Sequence, residues 1–168
     1  MTRALADLAP LTTTRLLLAR LTVADVPAVQ ALTDDPEVVR RIDFLTSPFT
    51  LADAAALVAR NSDPDECFFG VWESSRRRLI GVIGAHLRGA EEVEIGYWLG
   101  RGHQGRGYAT EAVTALIAGL RRAYPERQIV AECDPQNIGS WRVLEKAGFR
   151  PAGQAGHRPG RQLLHLAR

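Results

Sequence analysis

The chain has 168 residues, 46% of them apolar and 24% charged, and its net charge is only +2. That balance suits a single folded domain, residues 1–168, and argues against disorder or a strongly basic nucleic-acid scaffold. No apolar run approaches the ~20 residues of a membrane span, and no basic stretch leads into an apolar one near Met1, so a cytoplasmic protein with neither membrane nor nucleic-acid partner is expected.

The pattern opens with a strand over Arg15 to Arg20. Asp25 and Pro27 then signal a helix start, with Val26, Val29 and Leu32 on one face, and Asp34-Asp35-Pro36 breaks it. Thr50 and Asp53 have the spacing of a capping box for a helix over Leu51 to Arg60. Three strand-like runs follow, Cys67 to Trp72, Leu79 to Leu87 and Val93 to Leu99, with a hairpin turn at Glu73 to Arg78. Short polar turns between consecutive strands predict an antiparallel meander.

From Ala109 to Leu120 the apolar residues recur at helical spacing until Pro125 stops them, and Gln128 to Cys133 forms a short strand. Asn137 is placed to cap a further helix that turns Ile138, Trp141, Leu144 and Ala147 inward. Gly148 terminates that helix, and late strands begin at Phe149 and Gln162. The class is therefore α/β (α+β): a mixed, largely antiparallel central sheet of about six to seven strands with about four flanking helices. Cys67 and Cys133 match neither a metal-ligand spacing nor CxxC, so both read as free, buried thiols, and no metal is expected.

The most informative stretch is Gly100 to Ala109, which joins a strand directly to an amphipathic helix and holds four glycines within eight residues. The helix start lacks a Ser, Thr, Asp or Asn cap, so its first amide groups need another acceptor. A phosphate would supply one, aided by the helix dipole and by Arg101 and Arg106. Glu111, in the first helical turn, weighs slightly against a crowd of anions. The spacing is neither GxGxxG nor GxxxxGK[ST], which makes dinucleotide enzymes and phosphate-loop NTPases poor fits. An ordinary glycine-rich turn is the alternative.

Read with its flanks, Ile95 to Val113 (IGYWLGRGHQGRGYATEAV) resembles the acetyl-CoA signature of GNAT acetyltransferases, and Asn137 to Phe149 (NIGSWRVLEKAGF) resembles the second signature of their Rim-type subgroup, enzymes that acetylate ribosomal-protein N-termini. The resemblance implies acetyl-CoA as co-substrate, bound where the sheet splays open after the strand ending near Leu99. It implies cofactor contacts from the backbone of Gln104, Gly105, Arg106, Gly107, Tyr108 and Ala109, from main-chain groups of Trp98 and Leu99, and from Asn137 and Ser140. Two departures stand out: Gly102 replaces a usual Gln or Arg, and Leu144 replaces the helix tyrosine that serves many members as acid.

The implied reaction is attack of a neutral amine on the thioester, which needs a proton acceptor, an oxyanion donor and a proton for the thiolate. Glu132 is the first candidate base and Glu94 the second, each with a plain alternative as an ion-paired strand residue. Ser140 is the candidate donor to the thiolate. His86 could line the acceptor pocket. The acceptor is an amine, either a protein N-terminus or a small molecule such as an aminoglycoside. A non-catalytic acyl-CoA sensor and a homodimeric assembly also stay open.

Overall fold

The computed structural model describes residues 4–167. One eight-stranded sheet runs through it in the order β1-β2-β3-β4-β5-β6-β8-β7. Its strands are β1 (Leu11–Thr12), β2 (Leu16–Arg20), β3 (Glu66–Glu73), β4 (Arg78–Arg88), β5 (Glu92–Leu99), β6 (Gln128–Cys133), β7 (Phe149–Ala155) and β8 (Gln162–Leu166). Every neighbouring pair is antiparallel except β5 and β6, which are parallel. That exception follows from the chain, because the long helix between them carries it back across the sheet.

Among the described residues five α-helices cover the two faces: α1 (Val26–Thr33), α2 (Pro36–Val39), α3 (Leu51–Ala59), α4 (Tyr108–Ala123) and α5 (Ile138–Lys146). The larger apolar core lies under α4 and α5. It joins Leu16, Leu18, Phe69, Val93 and Ile95 from the sheet to Val113, Leu116, Leu120 and Leu144 from the helices. The smaller one lies under α1 to α3 and gathers Val29, Val38, Leu57, Phe68, Val82 and Trp98. The period-two alternation of β3, β4 and β5 divides their side chains between these cores, so the strand pattern fixes which residues face which ligand space.

Several local expectations hold. Thr50 Oγ accepts from the Asp53 amide at 3.2 Å while Asp53 Oδ2 accepts from the Thr50 amide at 2.8 Å, closing the capping box. Thr50→Ala is expected to destabilise the fold by about 1 kcal/mol in urea titration, the ordinary loss for a helix cap. Asn137 Oδ1 accepts from the Ser140 amide, and Gly148, at φ +100°, ends α5 with Phe149 fully buried behind it. Both cysteines are free and buried.

Other expectations are corrected. The Asp34-Asp35-Pro36 break contains its own helix, α2, because Asp35 caps it through the Glu37 amide at 2.8 Å and Pro36 fits a first helical position. Ile138 does not turn inward; it is 55% exposed, one residue past the cap, where α5 has not yet met the core. The strand total rises to eight through β1, a two-residue ribbon against β2 that no periodicity reveals.

Candidate active site

The turn between β5 and α4 has the geometry of an anion cradle. Gly105 and Gly107 adopt φ of +73° and +79°, and Gly107 sits at the N-cap of α4 with no side-chain hydrogen bond there. A Cβ on Gly105 would meet nothing within 4 Å, and one on Gly107 would meet only Arg15 Nη2, at 3.4 Å. Among the described residues the amides of Gln104 to Tyr108 donate to no protein acceptor. Left-handed glycines turn successive N–H groups towards one space, which suits a phosphate. The residues present therefore fit a diphosphate.

The turn is braced from the β1–β2 connection and the end of β3. Arg15 Nη1 donates to the Arg106 carbonyl at 3.0 Å, its guanidinium lies 4.4 Å over the Tyr108 ring, and Tyr108 donates to Glu73 Oε1 at 2.8 Å. Glu111 belongs to this brace. It accepts from Thr13 Oγ1 at 2.6 Å and from Arg15 Nε at 2.7 Å. Burial pushes the Glu111 pKa up, yet those hydrogen bonds and the Arg15 charge carry it below the usual carboxylate value. Its charge is thus neutralised locally, which removes the objection to an anion nearby.

Beside the turn the sheet is split. β4 pairs with β5 along its whole length to Leu99, but β6 pairs with β5 only from Glu92 to Ile95. The expected splay after Leu99 therefore begins earlier, and Gly96 to Leu99 have no strand on the β6 side. Trp98 and Leu99 bury their side chains in opposite cores. The Trp98 indole N–H donates to Thr33 Oγ1 at 3.1 Å, and the Leu99 carbonyl accepts from Gln104 Nε2 at 3.2 Å. This pair thus presents main chain at the gap, with the Leu99 carbonyl already engaged.

On the α5 side Asn137 and Ser140 come together as expected. Asn137 Oδ1 also accepts from Arg41 at 3.3 Å, tying the cap to the segment after α2. Leu144 is buried in the larger core, so no hydroxyl is offered from that position. Instead Ser140 Oγ lies 2.9 Å from the hydroxyl of Tyr97, which also donates to the Ser140 carbonyl at 3.2 Å. Sequence reasoning missed this pairing, because the partners lie 43 residues apart and meet only through the sheet. Burial raises the Tyr97 pKa, so the group stays protonated as a hydrogen-bonding hydroxyl.

The opposite face holds the acids. Glu132, its side chain only 1% exposed, accepts from the His157 amide at 2.6 Å, the Arg158 amide at 3.1 Å and Arg158 Nη1 at 3.2 Å. Burial, the largest single influence, raises the pKa of Glu132; those hydrogen bonds and the Arg158 charge outweigh it and leave the pKa lowered. Such a carboxylate is a weak proton acceptor. Glu94 is held by Arg88 at 2.7 Å and Arg158 at 2.6 Å. The two candidate bases thus share Arg158, and both stand as ion-paired strand residues. Arg161 extends the lattice to Asp43 at 2.9 Å and to the Arg41 carbonyl at 2.9 Å, so the β7–β8 turn is fastened to the segment between α2 and α3.

These features make a candidate acyl-transfer site across a split sheet. Residues 15–150 match the family described as Acetyltransferase (GNAT) domain. The chain is 33% identical over 144 residues to the uncharacterized N-acetyltransferase YnaD of Bacillus subtilis (strain 168), a match spanning 85% of this chain and 84% of that one. It is 32% identical over 91 residues to the ribosomal protein uS5-alanine N-acetyltransferase of Escherichia coli (strain K12), spanning 52% of this chain and 47% of that one. In fold it resembles the crystal structure of a GNAT-family acetyltransferase from Bacillus anthracis, with a TM-score of 0.82 at 27% identity over 94% of this chain and 97% of that one.

The chain belongs to the GNAT acetyltransferase family. It is an N-acetyltransferase, and acetyl-CoA is its acyl donor. No helix among the described residues is long and apolar enough to cross a membrane.

Proposed function

We propose that this chain, acting as a single domain, acetylates a primary amine that enters from the α1–α3 face, and that its acceptor class is the α-amine of a protein N-terminus. One observation carries the reading. The unpaired edge Gly96 to Leu99 lies beside the uncapped start of α4, while on the other face Gly84 and Gly96 sit opposite each other in the ladder. A Cβ on Gly96 would meet nothing within 4 Å, so an acceptor can approach the strand backbone there.

When bound, acetyl-CoA supplies the electrophilic carbonyl and the thiol leaving group. The backbone amides of Gln104, Gly105, Arg106, Gly107, Tyr108 and Ala109 are the proposed diphosphate contacts, and main-chain groups of Trp98 and Leu99 the proposed contacts of the pantetheine arm. Asn137 orients Ser140 by capping its amide, and Tyr97 holds the Ser140 hydroxyl, which is the proposed donor to the departing sulfur. Ser140→Ala is expected to lower kcat about tenfold, the worth of one hydrogen bond of ~1.4 kcal/mol, with a smaller loss of acetyl-CoA affinity.

The chemistry of the acceptor favours an N-terminus over a lysine, because an α-amine has a pKa of about 7.7–8.0 against about 10.4 and is more often neutral. A polycationic aminoglycoside would need unpaired negative charge, whereas Glu66, Glu94, Glu132 and Asp43 each face an arginine. The Tyr97–Ser140 pair also weakens the case for a sensor that never turns over. Calorimetry with acetyl-CoA and thiol release with Ala- and Ser-initiated hexapeptides, spermidine and an aminoglycoside test the reading. Release with the hexapeptides is expected; tight binding of acetyl-CoA without release from any amine would sink it.

A further inference from the structure

His86 is a buried polar side chain on the acceptor face that no arginine ties down. It is 7% exposed, and its buried Nδ1 has no hydrogen-bond partner among the described residues. Its Nδ1 lies 3.4 Å from Glu66 Oε1, close enough for charge but without hydrogen-bond geometry. Glu66 itself is clamped by Arg60 through two contacts of 2.7 Å. The imidazole stands edge-on to Phe68, 5.2 Å between ring centres.

The position of the ring matters more than its burial. In the ladder His86 faces Glu94, and Gly84 faces Gly96, so all four point to the same side of the sheet as Trp98. A Cβ on Gly84 would lie 3.0 Å from His86 Nε2. The imidazole thus leans over Gly84, with Nε2 adjoining the open space above Gly96. A larger residue at 84 would fill that place; a larger one at 96 would fill the opening.

We propose that His86 Nε2 accepts the proton of the incoming ammonium group, and that Glu66 stabilises the resulting imidazolium from the Nδ1 side. This rests on reading the α1–α3 face as the acceptor side. The N–H bond of the ammonium breaks, its electron pair remains on the amine nitrogen, and the proton bonds to Nε2 and later leaves to water. Glu94 and Glu132, locked on Arg158, are not required as bases.

The charges around the ring agree with this role. Burial pushes the His86 pKa below its ordinary value; Glu66 on β3 and Glu94 on β5 oppose that shift, while Arg88 on β4 and Arg60 after α3 add to it. The ring is therefore neutral at neutral pH and able to take a proton.

The test uses the whole chain and two readouts. In nitrogen-15 NMR the His86 imidazole is expected to titrate below the ordinary value of about 6.5, with its neutral proton on Nδ1. In kinetics, kcat/KM for an Ala- or Ser-initiated hexapeptide is expected to fall on an acidic limb that coincides with that titration. His86→Gln is expected to lose the limb and about 100-fold in kcat/KM at pH 7, with its acetyl-CoA affinity within twofold of wild type. Glu66→Gln is expected to move the limb to lower pH, because the imidazolium loses its nearest anion. A wild-type ring titrating at or above the ordinary value, or a His86→Gln enzyme that matches wild type, would overturn this assignment alone. A wild-type chain that releases no thiol overturns it together with the acceptor reading.

Discussion

Replacing Gly107 with aspartate is expected to weaken acetyl-CoA binding about a thousandfold, with much of the fold's stability intact. Gly107 holds φ +79° at the N-cap of α4, where the first amides of the helix have no protein acceptor. An aspartate there is strained by the left-handed backbone, but its carboxylate can do what N-cap side chains do and accept from those same amides. It would also lie beside Arg15, whose Nη2 is 3.4 Å from the Cβ position. The helix is thus supplied with a cap, and the diphosphate is displaced by a charge of its own sign. Loss of two or three charge-assisted hydrogen bonds at about 1.5 kcal/mol each amounts to roughly 4 kcal/mol, which is three orders of magnitude in affinity. Calorimetry on the folded variant reads this directly. Wild-type affinity would mean that the diphosphate lies elsewhere.

Arg158→Ala is expected to destabilise the fold by about 3 kcal/mol, the lower end for breaking a buried ion pair, because Arg158 is itself 30% exposed while its partners are not. For a chain of this length that lowers Tm by about 10 °C. The pH dependence carries a sign that distinguishes this from simple loss of packing. In the wild type Glu132 has a lowered pKa, so its contribution to stability is present above the ordinary glutamate pKa of about 4.3 and is lost as pH falls through the lower folded value. Without the guanidinium the folded-state pKa of Glu132 rises. The gap between wild type and variant is therefore widest at neutral pH and narrows on acidification, as protonation removes the uncompensated charge. A gap independent of pH would assign the loss to packing alone.

What the sequence revealed and what it hid divide along a physical line. The Thr50–Asp53 box, the Asn137 cap and the Gly148 stop were legible because each depends on residues three or four apart. The glycine turn was legible for a related reason: unusual backbone angles demand glycine, and the lack of a cap can be seen in the next few residues. The pairing of Tyr97 with Ser140, of His86 with Glu66 and of Glu94 with Glu132 through Arg158 was hidden. Those contacts depend on register between strands, which local periodicity does not specify. Glu132 and Glu94 looked alike as candidate bases, because a carboxylate on a strand reads the same whether an arginine from a distant turn covers it or water does.

The partial pairing of β5 with β6 has a mechanical consequence. Four ladder positions, Glu92 to Ile95, join the β1–β5 half of the sheet to the β6–β8 half, and beyond them side-chain bridges such as Tyr97–Ser140 and Arg161–Asp43 link the two among the described residues. A pantetheine arm in the proposed place between them would act as a short length of missing strand and stitch both halves together. Occupancy should therefore slow amide exchange not only near Gly107 but also in β8, which touches no part of the ligand's cradle.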